Sequence, residues 1–220
     1  MAILLVVALV IGWWSARILR PELTGEQVQS VYDPHPDTGT RWEPPRAMER
    51  RPSRFPRQLR YSVSSECQKA AEALFGYLPA GALDGYVAQF GSVTEDSSWG
   101  LSSTARYRDR QAAEAGFQAI RADLDRCQGL TLPARYGYVV MTFTGSPVSS
   151  SRLGGDRVVY VVDTAADGLD QSSTLTGVRF GNTVSWQNRN VRFGRAATDR
   201  DAERFVDALL ARMRSVLLRS

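Results

Sequence analysis

The chain has 220 residues, of which 43% are hydrophobic and 23% are charged, and its formal net charge is +4. This balance is typical of a globular protein and excludes a low-complexity chain or a disulfide-dense scaffold. No basic run is interleaved with aromatic residues and no zinc-finger spacing occurs, so the sequence predicts no nucleic-acid partner.

The first 20 residues contain the apolar run Ala2–Trp14. It is shorter than the roughly 20 residues that a spanning helix prefers, but Ile18 and Leu19 extend it if Arg17 snorkels. A buried core helix is the alternative, and the absence of a polar face disfavours it. We interpret residues 1–20 as a membrane anchor or an uncleaved signal, with residues 2–19 contacting the membrane.

The charges around this run leave its orientation open. Arg17 and Arg20 follow the run and no basic residue precedes it, so the positive-inside rule places the rest of the chain in the cytoplasm. The opposite orientation requires a basic segment upstream of Met1.

Residues 21–60 are rich in proline and show no sustained apolar period. This composition predicts an extended linker with little regular structure, because proline fixes φ and removes a backbone hydrogen-bond donor. His35, the only histidine, lies in this segment between two prolines. We predict that it is solvated, and the sequence gives no metal site and no cofactor.

Residues 61–218 predict an α+β domain, with an antiparallel sheet of about five to six strands packed against three amphipathic helices. One helix carries Cys67 on its apolar face and ends at Pro79-Ala-Gly81. A second runs from Asp109 to Cys127, and its apolar stripe is Ala113, Phe117, Ile120, Leu124 and Cys127. The last helix presents Ala202, Phe205, Val206, Leu209, Leu210, Met213 and Leu217 on one face. The predicted strands are Gly85–Val93, Gly100–Tyr107, Tyr136–Thr144, Arg157–Asp163, Thr174–Phe180 and Thr183–Gln187, with a hairpin turn at Gly181-Asn182.

The order of these elements, and the Tyr107-Arg-Asp109 junction into an Ala-rich helix that closes on a cysteine, resemble a known family. They are similar to the extracellular sensor domains of actinobacterial PknH-type serine/threonine kinases, over about Tyr61–Leu218. Because no kinase segment is present, the chain looks more like the stand-alone, membrane-anchored versions. The resemblance implies a disulfide-stapled domain with a cleft for an unknown ligand. The kinase versions carry a second cysteine pair that this chain lacks.

Cys67 and Cys127 are the only cysteines, and each falls on the apolar face of its predicted helix. They are either two buried thiols or one disulfide. We predict the disulfide, because the chain has no other partner for either residue. A stable disulfide would place the domain outside the cytoplasm and overrule the literal positive-inside assignment.

Catalytic chemistry is poorly represented in the sequence. The only histidine lies in the predicted linker, which disfavours Ser-His or Cys-His catalysis, and no phosphate-binding loop is present. Asp123 with Asp125, or Asp163 with Asp167, are the remaining carboxylate pairs, and such acids are usually solvated.

Our ligand-contact candidates are aromatic and arginine residues on strands, namely Trp99, Arg106, Arg179 and Trp186. Tryptophans in this setting more often pack in the core or on a sheet face than form a binding platform, and the arginines could either cradle an anionic group or lie on a solvated face. We expect a non-enzymatic, envelope-anchored ligand-binding or sensor module at the cell membrane, with a single-pass anchor, an extracytoplasmic domain and an unknown small ligand or envelope component as its partner. A carboxylate-based enzyme and an accessory subunit of a membrane complex are the alternatives.

Overall fold

The computed structural model describes residues 22–33, 40–50, 67, 75–92, 99–127, 130–134, 137–145, 149–150, 156–166, 169–190 and 199–219. Its helices are α1 (Gly25–Ser30), α2 (Arg110–Arg126) and α3 (Asp199–Leu218). Its strands are β1 (Thr40–Trp42), β2 (Arg46–Ala47), β3 (Asp84–Ser92), β4 (Trp99–Arg106), β5 (Leu130–Ala134), β6 (Gly137–Gly145), β7 (Ser149–Ser150), β8 (Asp156–Ala166), β9 (Leu169–Phe180) and β10 (Thr183–Asn190). The α+β class is confirmed.

All these strands form one antiparallel sheet in the order β1-β3-β4-β10-β9-β8-β6-β5, with β2 also paired to β3 and β7 to β8. The sheet has 10 strands rather than the expected five to six. The additional strands are short or lie at the edges. Pro133 within β5 is compatible with an edge position, because an edge strand need not donate every backbone hydrogen bond.

Two apolar cores lie on opposite faces of the sheet because side chains alternate along each strand. On one face, called here the α2 face, α2 packs its buried stripe, Ala113, Phe117, Ile120 and Leu124, as the helical spacing predicts. On the other, called the α3 face, Val206, Leu209, Leu210, Met213 and Leu217 of α3 are buried as predicted. The Gly181-Asn182 turn is also as predicted, with Gly181 at φ 58°.

The segment Glu22–Asp33, called here the N-terminal strap, corrects the linker prediction. It contains α1, whose Thr24 forms a capping box with Gln27. Its apolar side chains belong to the α3-face core, and Val28 and Val31 are fully buried. Residues 40–50 are structured too, since β1 and β2 pair with β3. The strap folds despite its proline-rich surroundings because it contains no proline from Glu22 to Asp33 and presents an apolar stripe.

Tyr32 anchors the end of the strap in a buried polar network. Its hydroxyl lies 2.6 Å from Thr104 Oγ1 and 3.2 Å from Ser102 Oγ, and Thr104 Oγ1 lies 2.7 Å from Ser185 Oγ. Burial raises the pKa of Tyr32 to about 12. A hydroxyl so placed is kept neutral and fixes the strap to β4, because an unpaired buried hydroxyl would cost free energy.

Asn182 in the β9–β10 turn clamps the start of the strap. Its Oδ1 accepts from Leu23 N at 2.8 Å, and its Nδ2 donates to the Leu23 carbonyl at 3.1 Å. The same side chain donates to the Tyr107 carbonyl at 3.4 Å, and its own carbonyl accepts from Tyr107 N. One buried amide therefore joins the strap, the β9–β10 turn and the end of β4.

The disulfide prediction is confirmed, with Cys67 and Cys127 bonded and their α-carbons 4.9 Å apart. Both residues lie in the α2-face core. Most of the predicted helix around Cys67 lies outside the described residues, as do His35, Asp167 and the predicted anchor. Within the described residues, no helix is both long and apolar enough to cross a membrane.

We expect Asn182→Ala to lower the free energy of unfolding by about 2 kcal/mol, because it leaves the buried backbone groups of Leu23 without partners. Urea denaturation of the full-length chain measures the change. Gln29→Ala, at an exposed position of the strap, is the control and should change stability by less than about 0.5 kcal/mol. Equal stability of the two variants would contradict the clamp.

Candidate functional site

The four predicted ligand-contact residues do not form one site. Arg179 and Trp186 lie on the α2 face, where they contact α2, whereas Arg106 lies on the α3 face with Thr104 and Ser102. Trp99 is the first residue of β4, and only its backbone is described. Their role in binding therefore stays a prediction, and the structure gives the three described side chains structural contacts.

The two arginines are held by carboxylates. Arg106 pairs across β3 and β4 with Asp84, its Nε donating to Oδ1 at 2.9 Å and its Nη2 to Oδ2. This hydrogen bonding raises the pKa of Arg106. Arg179 is buried and bridges Glu114 of α2, 2.5 Å from its Nε, to Asp156 of β8. Arg179 thus ties α2 to the sheet.

Trp186 is a core residue with one unusual feature. Its ring is 2% exposed and stacks on Phe117 of α2, with centroids 5.9 Å apart. A Cβ on Gly177 of the neighbouring strand would lie 2.6 Å from this ring, so the tryptophan needs a glycine opposite it. Its Nε1 is buried and has no hydrogen-bond partner in the described structure.

The predicted carboxylate pair Asp123 and Asp125 does not converge on a pocket. Asp123 is buried beside Arg126, at 3.8 Å, while Asp125 accepts from the Tyr160 hydroxyl at 2.7 Å and lies 3.6 Å from Arg121. Burial, and then the contact with Asp125, raise the pKa of Tyr160. Asp125 thereby holds α2 against β8. Among the described residues, no group of three His, Cys, Asp or Glu is placed to hold a metal ion.

A cleft of about 140 Å³ lies at the β3 edge of the sheet. It is lined by two exposed charged residues, by aromatic side chains and by small or apolar groups: Arg46, Ala47, Glu49, Phe75, Gly76, Tyr77 and Val87. Arg46 stands opposite Val87 in the β2–β3 register, so both lie on the α2 face. This cleft is the candidate ligand-binding site of the described structure.

Backbone hydrogen bonds fix both walls of the cleft. Met48 N donates to the Gly85 carbonyl at 2.8 Å, which holds the β2 wall on β3. Leu78 N donates to the Glu49 carbonyl at 2.9 Å, and Arg50 forms a parallel bridge with Leu78. The wall at 75–77 is thereby joined to the β2 wall at one end, and the cleft is a defined space between two backbone segments.

Gly76 determines how close the aromatic wall comes to the sheet. Phe75 is the last helical residue of its segment, and Gly76 follows at φ 69°, the left-handed region in which glycine is favoured. A Cβ at Gly76 would lie 2.7 Å from Val87 Cγ2. The helical pattern that we extended to Leu78 therefore ends three residues earlier, and the chain turns to form the cleft.

The sequence did not identify this cleft. Arg46 and Glu49 lie in the segment interpreted as a linker, and Phe75 and Leu78 were placed on a helix. The one available signal was Gly76, because glycine inside a helical pattern near a proline often marks the helix end.

No protein-family model matches this chain, and no curated protein matches its sequence. Among solved structures, it is similar to the crystal structure of the extracellular domain of PknH from Mycobacterium tuberculosis, at 12% identity and a TM-score of 0.55, over 88% of this chain and 93% of that one. It is also similar to the X-ray structure of an uncharacterized protein, an Rv0999 ortholog from Mycobacterium smegmatis, at 14% identity and a TM-score of 0.46, over 90% and 98%.

The fold is therefore that of the extracellular domain of PknH, as the sequence resemblance implied. At this identity the likeness concerns the fold alone, because one fold can carry unrelated functions.

We expect Gly76→Ala to destabilise the chain by about 1–3 kcal/mol, because alanine is strained at this φ and its Cβ would displace Val87. Gly91→Ala is a matched control, since no atom lies within 4 Å of a Cβ built there and its φ is not positive. Urea denaturation of both variants measures the difference, and a Gly76→Ala variant as stable as the control would show that this wall relaxes freely.

Proposed function

We propose that this chain is a non-enzymatic, envelope-anchored sensor module that binds a small ligand in the cleft between β2 and residues 75–77. The observation that carries the proposal is the cleft itself, in which Arg46 and Glu49 stand beside aromatic walls without an ion-pair partner in the described part of the chain. Concave, partly apolar spaces with a few polar groups are the usual form of ligand sites.

The roles of the described carboxylates support binding rather than catalysis. Asp84 and Asp156 neutralise arginines, and Asp125 accepts a hydrogen bond from Tyr160. A carboxylate-based enzyme needs two acids that face one space with different proton affinities. These acids are instead spread over both faces of the sheet in structural contacts.

A panel of small compounds tests the binding proposal directly. The full-length ¹⁵N-labelled chain, in lipid nanodiscs, is titrated with fragments of anionic, cationic, zwitterionic and neutral type. We expect at least one class to shift the amide signals of Ala47, Gly76 and Tyr77 in a saturable manner. If every saturable response instead lies on residues away from the cleft, the proposal is wrong.

The proposed compartment rests on the disulfide and on the fold likeness to an extracellular domain. Stable disulfides form outside the cytoplasm, and residues 2–19 would then serve as the anchor. This orientation opposes the positive-inside reading of Arg17 and Arg20.

We expect a C-terminal alkaline phosphatase fusion to be active in intact cells and a C-terminal fluorescent protein fusion to be dark after export. In the same cells, Cys67 and Cys127 should resist alkylation until a reductant is added, because their thiols are bonded. An inactive phosphatase together with two thiols that react without reductant would refute the extracytoplasmic assignment.

A further inference from the structure

We infer that the cleft selects a small zwitterion, of the size and charge pattern of a free α-amino acid. This inference rests on the proposed binding function and specifies its ligand class. It follows from three properties of the cleft: its volume, its two opposite charges and its aromatic wall.

The volume limits the part of the ligand that the cleft can enclose. The cleft measures about 140 Å³, close to that of an engineered cavity of ~150 Å³ that holds one benzene molecule. Drug-sized ligands occupy pockets of roughly 300–1,000 Å³. Because the cleft is open to solvent, this volume sets the size of the group that it encloses, on the order of six to ten non-hydrogen atoms, and a free amino acid is a complete molecule of that size.

The charges define the polarity of this ligand. Arg46 and Glu49 both line the cleft, and neither forms an ion pair or a side-chain hydrogen bond with another described residue. A guanidinium binds a carboxylate through two parallel hydrogen bonds, and a carboxylate accepts from an ammonium. An anion alone would meet repulsion from Glu49, and a cation alone would meet it from Arg46. A molecule that carries both groups satisfies both residues.

The walls favour an apolar portion in the same ligand. Phe75 and Tyr77, which are half-buried, and Val87, which is buried, all line the cleft. Aromatic faces pack on apolar groups and also attract an ammonium. In an amino acid with an aliphatic side chain, the carboxylate and the ammonium would therefore contact the exposed charged residues. The aliphatic side chain would pack against the aromatic residues and Val87.

Three related probes test this inference with the full-length chain in nanodiscs: L-leucine, L-leucinamide and N-acetyl-L-leucine. Leucinamide lacks the carboxylate, and N-acetyl-leucine lacks the ammonium. We expect leucine to shift the amide signals of Ala47 and Gly76 with a dissociation constant at least about fivefold lower than that of either analogue, because each exposed ion pair contributes modestly.

Two variants test which charged group of leucine each residue binds. Arg46→Gln should remove the advantage of leucine over leucinamide, and Glu49→Gln should remove its advantage over N-acetyl-leucine. Both side chains are exposed, so neither change should disturb folding. Arg110→Gln and Asp163→Asn are the matched controls, since these exposed residues lie away from the cleft, and both should keep the selectivity.

The outcomes separate this inference from the proposed function. If an analogue or a neutral fragment shifts the cleft signals at least as tightly as leucine, the zwitterion assignment is wrong and the binding function stands. If leucine is preferred but Arg46→Gln and Glu49→Gln keep that preference, the charge assignment is likewise overturned. If neither leucine nor any fragment of the panel shifts these signals, both proposals fall.

Discussion

The pairing of β4 with β10 is the constraint on which both faces of the sheet depend. In this register Ser102 lies opposite Gln187 and Thr104 opposite Ser185, so the polar side chains meet the Tyr32 hydroxyl on the α3 face. The alternating residues, Val184 and Trp186, face α2. A slip of one residue would put Trp186 under the strap and Ser185 under α2. The Tyr32 network and the Trp186–Phe117 stack therefore select the same register from opposite sides.

The disulfide relates this sheet to the cleft. Cys127 caps the C-terminal end of α2, and α2 is tied to the sheet by Arg179. Cys67 precedes the aromatic wall at Phe75 by eight residues, so the bond limits how far that wall can move from the core. At its other end, the Leu78–Glu49 hydrogen bond joins the wall to the β2 side. The cleft is thus preorganised by covalent and backbone contacts, which would reduce the entropy lost when the proposed ligand binds.

Periodicity predicted the elements in which local pattern and packing agree. The stripe of α2 required only apolar residues at helical spacing, and the hairpin required only the Gly181-Asn182 turn signal between two strand patterns. The strap was missed because its six-residue helix is surrounded by prolines, and its burial depends on Asn182, 159 residues away from Leu23. The cleft was missed for the same reason, since Arg46 and Gly76 meet only through β3. Arg106 and Arg179 were predicted as ligand contacts, but the sequence could not reveal that their carboxylate partners within the chain are Asp84, Glu114 and Asp156.

Residues 40–50 place the cleft close, along the chain, to the strap and to the proposed anchor. Its Trp42 ring lies 5.4 Å from Tyr32 of the strap and 5.1 Å from Phe90 of β3, with the Arg212 guanidinium of α3 5.7 Å from the same ring. Four to seven residues later, Arg46 and Glu49 line the cleft. Because β1 and β2 both pair with β3, the aromatic contacts of Trp42 and the charged residues of the cleft are held at the same edge of the sheet. Residues 40–50 therefore contact the strap at one end and form one wall of the cleft at the other.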